Sequence, residues 1–401
     1  MHTNANGAAF ALGLKAGELV EVKSKEEILA TLDENSCLDG LPFMPEMFRC
    51  CGQRFTVYKR AHKTCDTVFP IRSRRMANAV HLETRCDGAA HGGCEAGCLI
   101  FWKEAWLKRV NSDSTGTVRS ALGKDSQLEQ SKNNDRCTED DVRRGTTLPN
   151  EDGAEPTYVC QSTRLPYATT DLQWWDIRQY IEDYRSGNVG IFTILKGLTY
   201  KACYRYKNKG MGIGGLIRWL YDHIPPLWGG TPWPLKRGSI ALSQPTPTEI
   251  LGLQPGELVR VKPYAEILRT VNVKNRNRGM SFDKEMVPYC GGVYRVLKRV
   301  NKIISEKTGE MQELKNPCIV LDSVVCQARY SECRLFCPRS IYPYWREIWL
   351  ERIPEAGVIA AKPMNPRATE QLNGCAAADG AWQAISTTLD EPGPSDVVRQ
   401  R

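Results

Sequence analysis

The chain has 401 residues, room for two or three domains, and its hydrophobic (41%) and charged (25%) content is ordinary for a globular protein. No run of about 18 uncharged apolar residues is present, which argues against a spanning helix, and the polar start from Met1 to Ala9 lacks the apolar core of a secretory signal. The formal charge of +8 permits contact with nucleic acid, anionic membrane or acidic partners, and requires none of them.

The first predicted elements lie in residues 10–110. "GELVEV" alternates apolar and polar residues after a glycine turn, the pattern of a half-buried strand. "SKEEILATL" reads as a short helix, with Ser24 as cap and Glu27 at the capping-box position. "RFTVYKR" and "AVHLET" are further strands, with His81 half buried in the second. "FWKEAWLKRV" (101–110) is a closing strand or a short helix. Short strands with Gly-rich turns in about 100 residues suggest a small SH3-like barrel.

The stretch 111–157 is polar and nearly free of large apolar groups, so a disordered linker is expected over 111–170. An aromatic and basic helical connector is expected over 171–237. In "DLQWWDIRQYIEDYRSGN", Asp171 is the expected N-cap and Gly187 the C′ residue, with Trp174, Ile177, Ile181 and Tyr184 on one face. This 171–237 segment suits packing between modules, an anionic membrane surface met through 189–223, or stacked nucleic acid, with packing favoured. "GMGIGG" (210–215) reads as a hinge.

Residues 249–353 then repeat the first module. "LGLKAGELVEVKSKEEILATLDEN" (12–35) matches "LGLQPGELVRVKPYAEILRTVNVK" (251–274), an offset of 239. The offset continues from 43–60 to 282–299. After an insertion, "FWKEAWLKRV" matches "YWREIWLERI" (344–353). The tail 354–401 is small, polar and Pro-containing, and is expected to be mobile. The expected architecture is mainly β, two homologous SH3-like barrel modules joined by a helical segment.

Sixteen cysteines in a chain read as cytoplasmic, where disulfides are rare, favour metal ligation or redox work over staples. Duplication selects among them. Cys51 matches Cys290, Cys86 matches Cys326, Cys94 matches Cys333 and Cys98 matches Cys337. His91 becomes Tyr330, while Cys37, Cys50, Cys65 and Cys318 lack partners. Four thiolates close a tetrahedral zinc site or hold an iron–sulfur cluster. The metal candidates are therefore Cys51, Cys86, Cys94 and Cys98, with His91 as a substitute ligand, and Cys290, Cys326, Cys333 and Cys337. A solvated His91, ordinary buried thiols, and a redox pair at Cys94/Cys98 and Cys333/Cys337 stay open beside that reading.

Trp102, Glu104 and Trp106 recur as Trp345, Glu347 and Trp349, and core packing is expected of them. Lys59 and Arg60 recur as Lys298 and Arg299, expected on a solvated strand face. There is no phosphate loop, nucleophile elbow or H-E-x-x-H, and the histidines are too scattered for a triad.

The segments "PGELVRVK", "EMVPYCGG", "RCDGAAHGGCEAGCLIFWKEAWLKRV" and "WWDIRQYIEDYRSGN" resemble a group of uncharacterised bacterial proteins. These are built of tandem Cys-rich SH3-like modules and are often encoded in biosynthetic gene clusters. "GELVRV" alone is similar to the start of the nitrile hydratase β subunit and of the variable chain of ferredoxin–thioredoxin reductase, an analogy of fold. The resemblance carries over no activity; the duplicated cysteine sets point to a metal- or iron–sulfur-binding accessory protein that acts with a biosynthetic enzyme, by electron delivery or scaffolding. A thiol-dependent oxidoreductase and a peripheral membrane scaffold are the alternatives, and nucleic acid is the weakest partner.

Overall fold

The computed structural model describes residues 11–68, 71–110, 137–148, 155–208, 236–331 and 333–354. The "GMGIGG" stretch and nearly all of the 354–401 tail lie outside them. The described residues up to Ile353 belong to one compact unit.

The first module runs β1 (Leu19–Val22), α1 (Lys25–Leu29), β2 (Cys37–Leu38), β3 (Leu41–Pro42), a 3₁₀ turn at Pro45–Cys50, β4 (Arg54–Arg60), β5 (Lys63–Asp66), β6 (Arg72–Arg75), β7 (Ala79–Arg85), β8 (Leu99–Lys103), a 3₁₀ turn at Glu104–Trp106 and β9 (Leu107–Arg109). "FWKEAWLKRV" is thus strand, turn and strand. Strands β8-β7-β4-β1-β9 form one antiparallel sheet. Alternation in β1 turns Val20 and Val22 into a core with Val57, Leu82, Phe43, Trp102 and Trp106. Ser24 caps α1, and the Glu27 carboxylate returns a bond to the Ser24 amide.

Next come α2 (Glu139–Arg144), β10 (Thr147–Leu148), β11 (Thr157–Tyr158), α3 (Gln161–Ala168), β12 (Thr170–Leu172), α4 (Arg178–Arg185) and α5 (Ile191–Asn208). The second module has β13 (Leu258–Val261), α6 (Tyr264–Thr270), β14 (Arg276–Asn277), β15 (Met280–Ser281), a 3₁₀ turn at Lys284–Tyr289, the long hairpin β16 (Val293–Ile304) and β17 (Met311–Leu321), a 3₁₀ turn at Glu347–Trp349 and β18 (Leu350–Arg352). Its sheet order is β17-β16-β13-β18.

The 239-residue offset holds in the strand register: Val20 faces Phe55 as Val259 faces Tyr294. It also holds in the core. Phe43 meets Trp106 edge-on at 5.2 Å, and Phe282 meets Trp349 at 5.2 Å. The indole N–H groups of Trp106 and Trp349 donate to Thr31 and Thr270. All four repeated tryptophans are buried. Glu104 accepts from the Gly13 and Leu14 amides and from Arg60, and Glu347 does the same with Leu251, Gly252 and Arg299. Arg60 and Arg299 therefore tie strands to buried carboxylates, where a solvated face was expected.

Two expectations between the modules fail in instructive ways. Residues 137–148 and 155–170 of the expected disordered linker are folded onto the first module, while 111–136 and 149–154 lie outside the described residues. A few well-placed groups suffice: Val142 and Leu165 enter the core, and buried Gln161 bonds the Phe101 amide and carbonyl. Asp171 does not cap a helix. It lies in β12, which pairs with β6, and it binds Arg74.

Helix α4 starts only at Arg178 and ends at Arg185 with Ser186 as its C-cap, and Gly187 follows in the left-handed C′ conformation at φ 75°. Its buried residues are polar, Gln179 and Asp183, whereas Trp174, Ile177, Ile181 and Tyr184 are exposed. The reason is Lys63, whose buried Nζ needs Asp183 (2.6 Å) and the Leu335 carbonyl (2.8 Å). Helix α5 lays Tyr200 edge-on to Tyr330 and sets Gly197 against the Phe336 ring. Among the described residues no helix is long and apolar enough to cross a membrane.

Candidate metal centre

The Cys-rich loop between β7 and β8 is wound around Gly88. Its carbonyl accepts from the His91 and Gly93 amides, and the His91 carbonyl accepts from Cys94. Gly88 has φ 74°, and a Cβ there would fall 2.0 Å from the Cys94 carbonyl oxygen, so no side chain fits. Strand β11 closes the loop from outside, with the Tyr158 hydroxyl against Gly92.

This winding turns His91 inward to 1% exposure, which rules out the solvated reading left open beside the ligand one. Its Nε2 lies 3.1 Å from the Val159 carbonyl. A carbonyl only accepts, so Nε2 carries the proton and Nδ1 faces the Glu46 carboxylate at 3.5 Å. Cys86 completes the group, its thiol donating to Glu46 Oε1 at 2.8 Å. The ligand atoms of Glu46, Cys86 and His91 all lie within 4.8 Å of one another.

Two atoms of this group, His91 Nδ1 and Glu46 Oε2, are buried without a hydrogen-bond partner. At 3.5 Å the His91–Glu46 contact is too long for a strong bond. A neutral ring would set a lone pair against a carboxylate in a water-poor site, so the geometry calls for positive charge between them. A second ring proton or a metal cation would supply it. Burial alone would raise the Glu46 carboxyl, but the His91 ring and then the Cys86 thiol outweigh it and hold it below its ordinary value. Burial, then the Glu46 charge, push the Cys86 thiol up, so it stays protonated without a cation.

The two sets of four cysteines do not converge. Among the described residues, Glu46, Cys86 and His91 are the one group of three or more His, Cys, Asp or Glu side chains that meets the 4.8 Å condition. Cys51 and Cys290 close the 3₁₀ turns and pack on their own module cores. Cys94 Sγ accepts from the Ile304 amide, and Cys98 lies against Ser162 Oγ. Cys333 donates to the Ile71 carbonyl. Cys337 is buried against Cys65 and Ala328, with Cys326 beside them. The fourteen cysteines whose side chains the structure describes are free thiols.

The second module carries an altered version of the first group. Glu285, Cys326 and Tyr330 stand where Glu46, Cys86 and His91 stand. The Glu285 carboxylate accepts from the Arg329 and Tyr330 amides, and Tyr330 offers no imidazole. Burial pushes Glu285 up to about 7. Glu46 was missed because the duplication test was applied to cysteines alone; its recurrence as Glu285 in "PEM" and "KEM" was the available signal.

Comparison of the chain with family models, curated proteins and solved structures returns no match.

Proposed function

We propose that this is a metal-binding accessory protein whose first Cys-rich loop holds zinc through Glu46, Cys86 and His91. One observation carries the reading: His91 Nδ1 and Glu46 Oε2 are buried without a hydrogen-bond partner, Nδ1 facing the carboxylate at 3.5 Å, while Nε2 is anchored on a backbone carbonyl. That anchoring is how metal-bound histidines are usually oriented. One nitrogen, one oxygen and one sulfur donor suit zinc better than an iron–sulfur cluster, which asks for several thiolates. Three protein ligands leave one tetrahedral position for water or a partner's side chain.

The scaffold reading, with a biosynthetic enzyme as partner, draws support from the exposed apolar residues Ile177, Ile181, Tyr184, Ile191, Phe192 and Leu195 on α4 and α5 and in the turn before α4. The curled antiparallel sheets are compatible with SH3-like barrels, and free thiols with a reducing, cytoplasmic setting. A thiol enzyme working through Cys94/Cys98 is disfavoured, because burial pushes the Cys98 thiol up, opposite to what a nucleophile needs.

The test is zinc titration of the full chain against a chromophoric chelator, with metal content measured in parallel. His91→Ala should lose one equivalent of zinc, and Glu46→Gln should weaken that site by about 10–100-fold. Unchanged stoichiometry and affinity in His91→Ala would mean that the positive charge at this site is only a proton.

A further inference from the structure

The two modules grip each other reciprocally. The β5–β6 arm of the first module lies on the Cys-rich loop of the second: Ser73 Oγ donates to the Cys333 carbonyl and Lys63 Nζ to the Leu335 carbonyl. The equivalent arm of the second module is the outer half of the β16–β17 hairpin, where Lys302 stands in the place of Lys63 at the 239-residue offset. This arm lies on the loop that carries His91.

The hairpin meets that loop at Gly92, Cys94 and Glu95. Lys302 Nζ donates to the Gly92 carbonyl at 2.7 Å. The Asn301 and Lys302 amides donate to the Glu95 carboxylate, and the Glu95 amide donates to the Lys302 carbonyl. The Ile304 amide donates to Cys94 Sγ. The tip of the hairpin reaches further, to β11. There the Gly309 carbonyl accepts from the Tyr158 amide at 2.8 Å. The next residue, Val159, supplies the carbonyl that holds His91 Nε2. The approach is close enough to require glycine. Gly309 has φ 77°, and a Cβ there would fall 2.6 Å from Thr157 Cγ2 and 2.7 Å from the Tyr158 carbonyl oxygen.

We propose that this hairpin of the second module is the positioning element of the metal centre in the first, with Lys302 and Gly309 as its positioning residues. Lys302 holds the residue that follows His91, and Gly309 holds the backbone that anchors the ring. The proposal rests on the zinc reading of Glu46, Cys86 and His91. Fixing the far nitrogen of a histidine aims the near one at a metal, and here the fixing carbonyl sits on a backbone that another module grips. The other two ligands are placed by their own module: Glu46 lies in the 3₁₀ turn at Pro45–Cys50, and the Cys86 amide donates to the Cys98 carbonyl. His91 is thus the ligand that the second module controls. A module with Tyr330 in place of the imidazole still serves the site of its neighbour. By reciprocity, whatever the docked hairpin adds to zinc affinity, zinc adds to docking of the hairpin. Lys302 belongs to neither core, and its bond to Gly92 lies at the surface, so changing it leaves both cores in place.

Lys302→Met and Gly309→Ala in the full chain test this, with circular dichroism to check that each is folded. Each should weaken zinc binding about tenfold or more, measured against a chromophoric chelator. Lys302→Arg, which keeps a donor for Gly92, should recover most of that loss. In metal-free protein, hydrogen exchange at the His91 and Gly93 amides should quicken about tenfold in Lys302→Met and Gly309→Ala. In the wild type, zinc should slow exchange at the Tyr158 and Ile304 amides, and His91→Ala should abolish that slowing. Ser73→Ala, which loosens the opposite arm, should leave zinc affinity unchanged. Unchanged exchange at His91 and Gly93 in the two folded variants, quicker exchange with unchanged zinc affinity, or an equal loss of zinc in Ser73→Ala would each overturn the positioning role. No zinc uptake by the wild type would overturn the metal reading, and the metal-free exchange would then decide the positioning role by itself.

Discussion

His81 and Gly88 show how single residues fix the first module. His81 is buried in β7, with Nδ1 2.9 Å from the Ile100 carbonyl. Burial drives its pKa down to about 3. In the unfolded chain the imidazole titrates near its ordinary value, so between about pH 6.5 and 3 the unfolded state binds the extra proton. The neutral ring therefore favours the fold fully above about pH 6.5, and that advantage is lost progressively as pH falls. His81→Gln, which keeps a donor for Ile100, should flatten the fall in stability between pH 6 and 4, measured by urea unfolding at several pH values. An unchanged slope would show that other groups dominate acid sensitivity. Gly88→Ala should cost roughly 1–3 kcal/mol, from the left-handed backbone and the clash with Cys94, and should weaken zinc binding with it.

At the scale of elements, α4 shows where sequence reasoning reached and where it stopped. Its C′ glycine, the capping box of α1 and the tryptophan pairs of both cores follow from local pattern, and each appears as read. Which face of α4 is buried does not follow, because that depends on a lysine more than 100 residues earlier. Lys63 is buried, bonded to Asp183 and Gln179, and lies over the rings of Tyr180 and Phe336. His62 also approaches Asp183 at 3.2 Å, without hydrogen-bond alignment. The same blindness to long-range partners hid the role of Glu46 and the folded stretches within 137–170. Lys63→Met should cost about 3–5 kcal/mol by leaving Asp183 buried and uncompensated, and Lys63→Met/Asp183→Leu should recover a large part of that. A double-mutant cycle in urea measures the coupling; additive losses would mean the pair is not the anchor of α4.

The unit up to Ile353 is held by the exchange of arms, and this bears on how it unfolds. Each Cys-rich loop is covered by the other module's hairpin, and Arg339 of the second module is buried between Cys65, Ser162 and Glu306. Opening the interface exposes those bonds and the Lys63–Asp183 pair together, so neither module keeps its loop packed once the other has left. Two sequence-similar modules on a linker would unfold in two steps. Here calorimetry of the full chain should give one transition for the described core. Lys63→Met should lower its midpoint without splitting it. Zinc should raise the midpoint of the wild type, with a smaller rise in His91→Ala, because an ion that binds only the folded state stabilises all that unfolds with its site. Two resolved transitions, only one of them moved by Lys63→Met, would show that the arms join modules that fold separately.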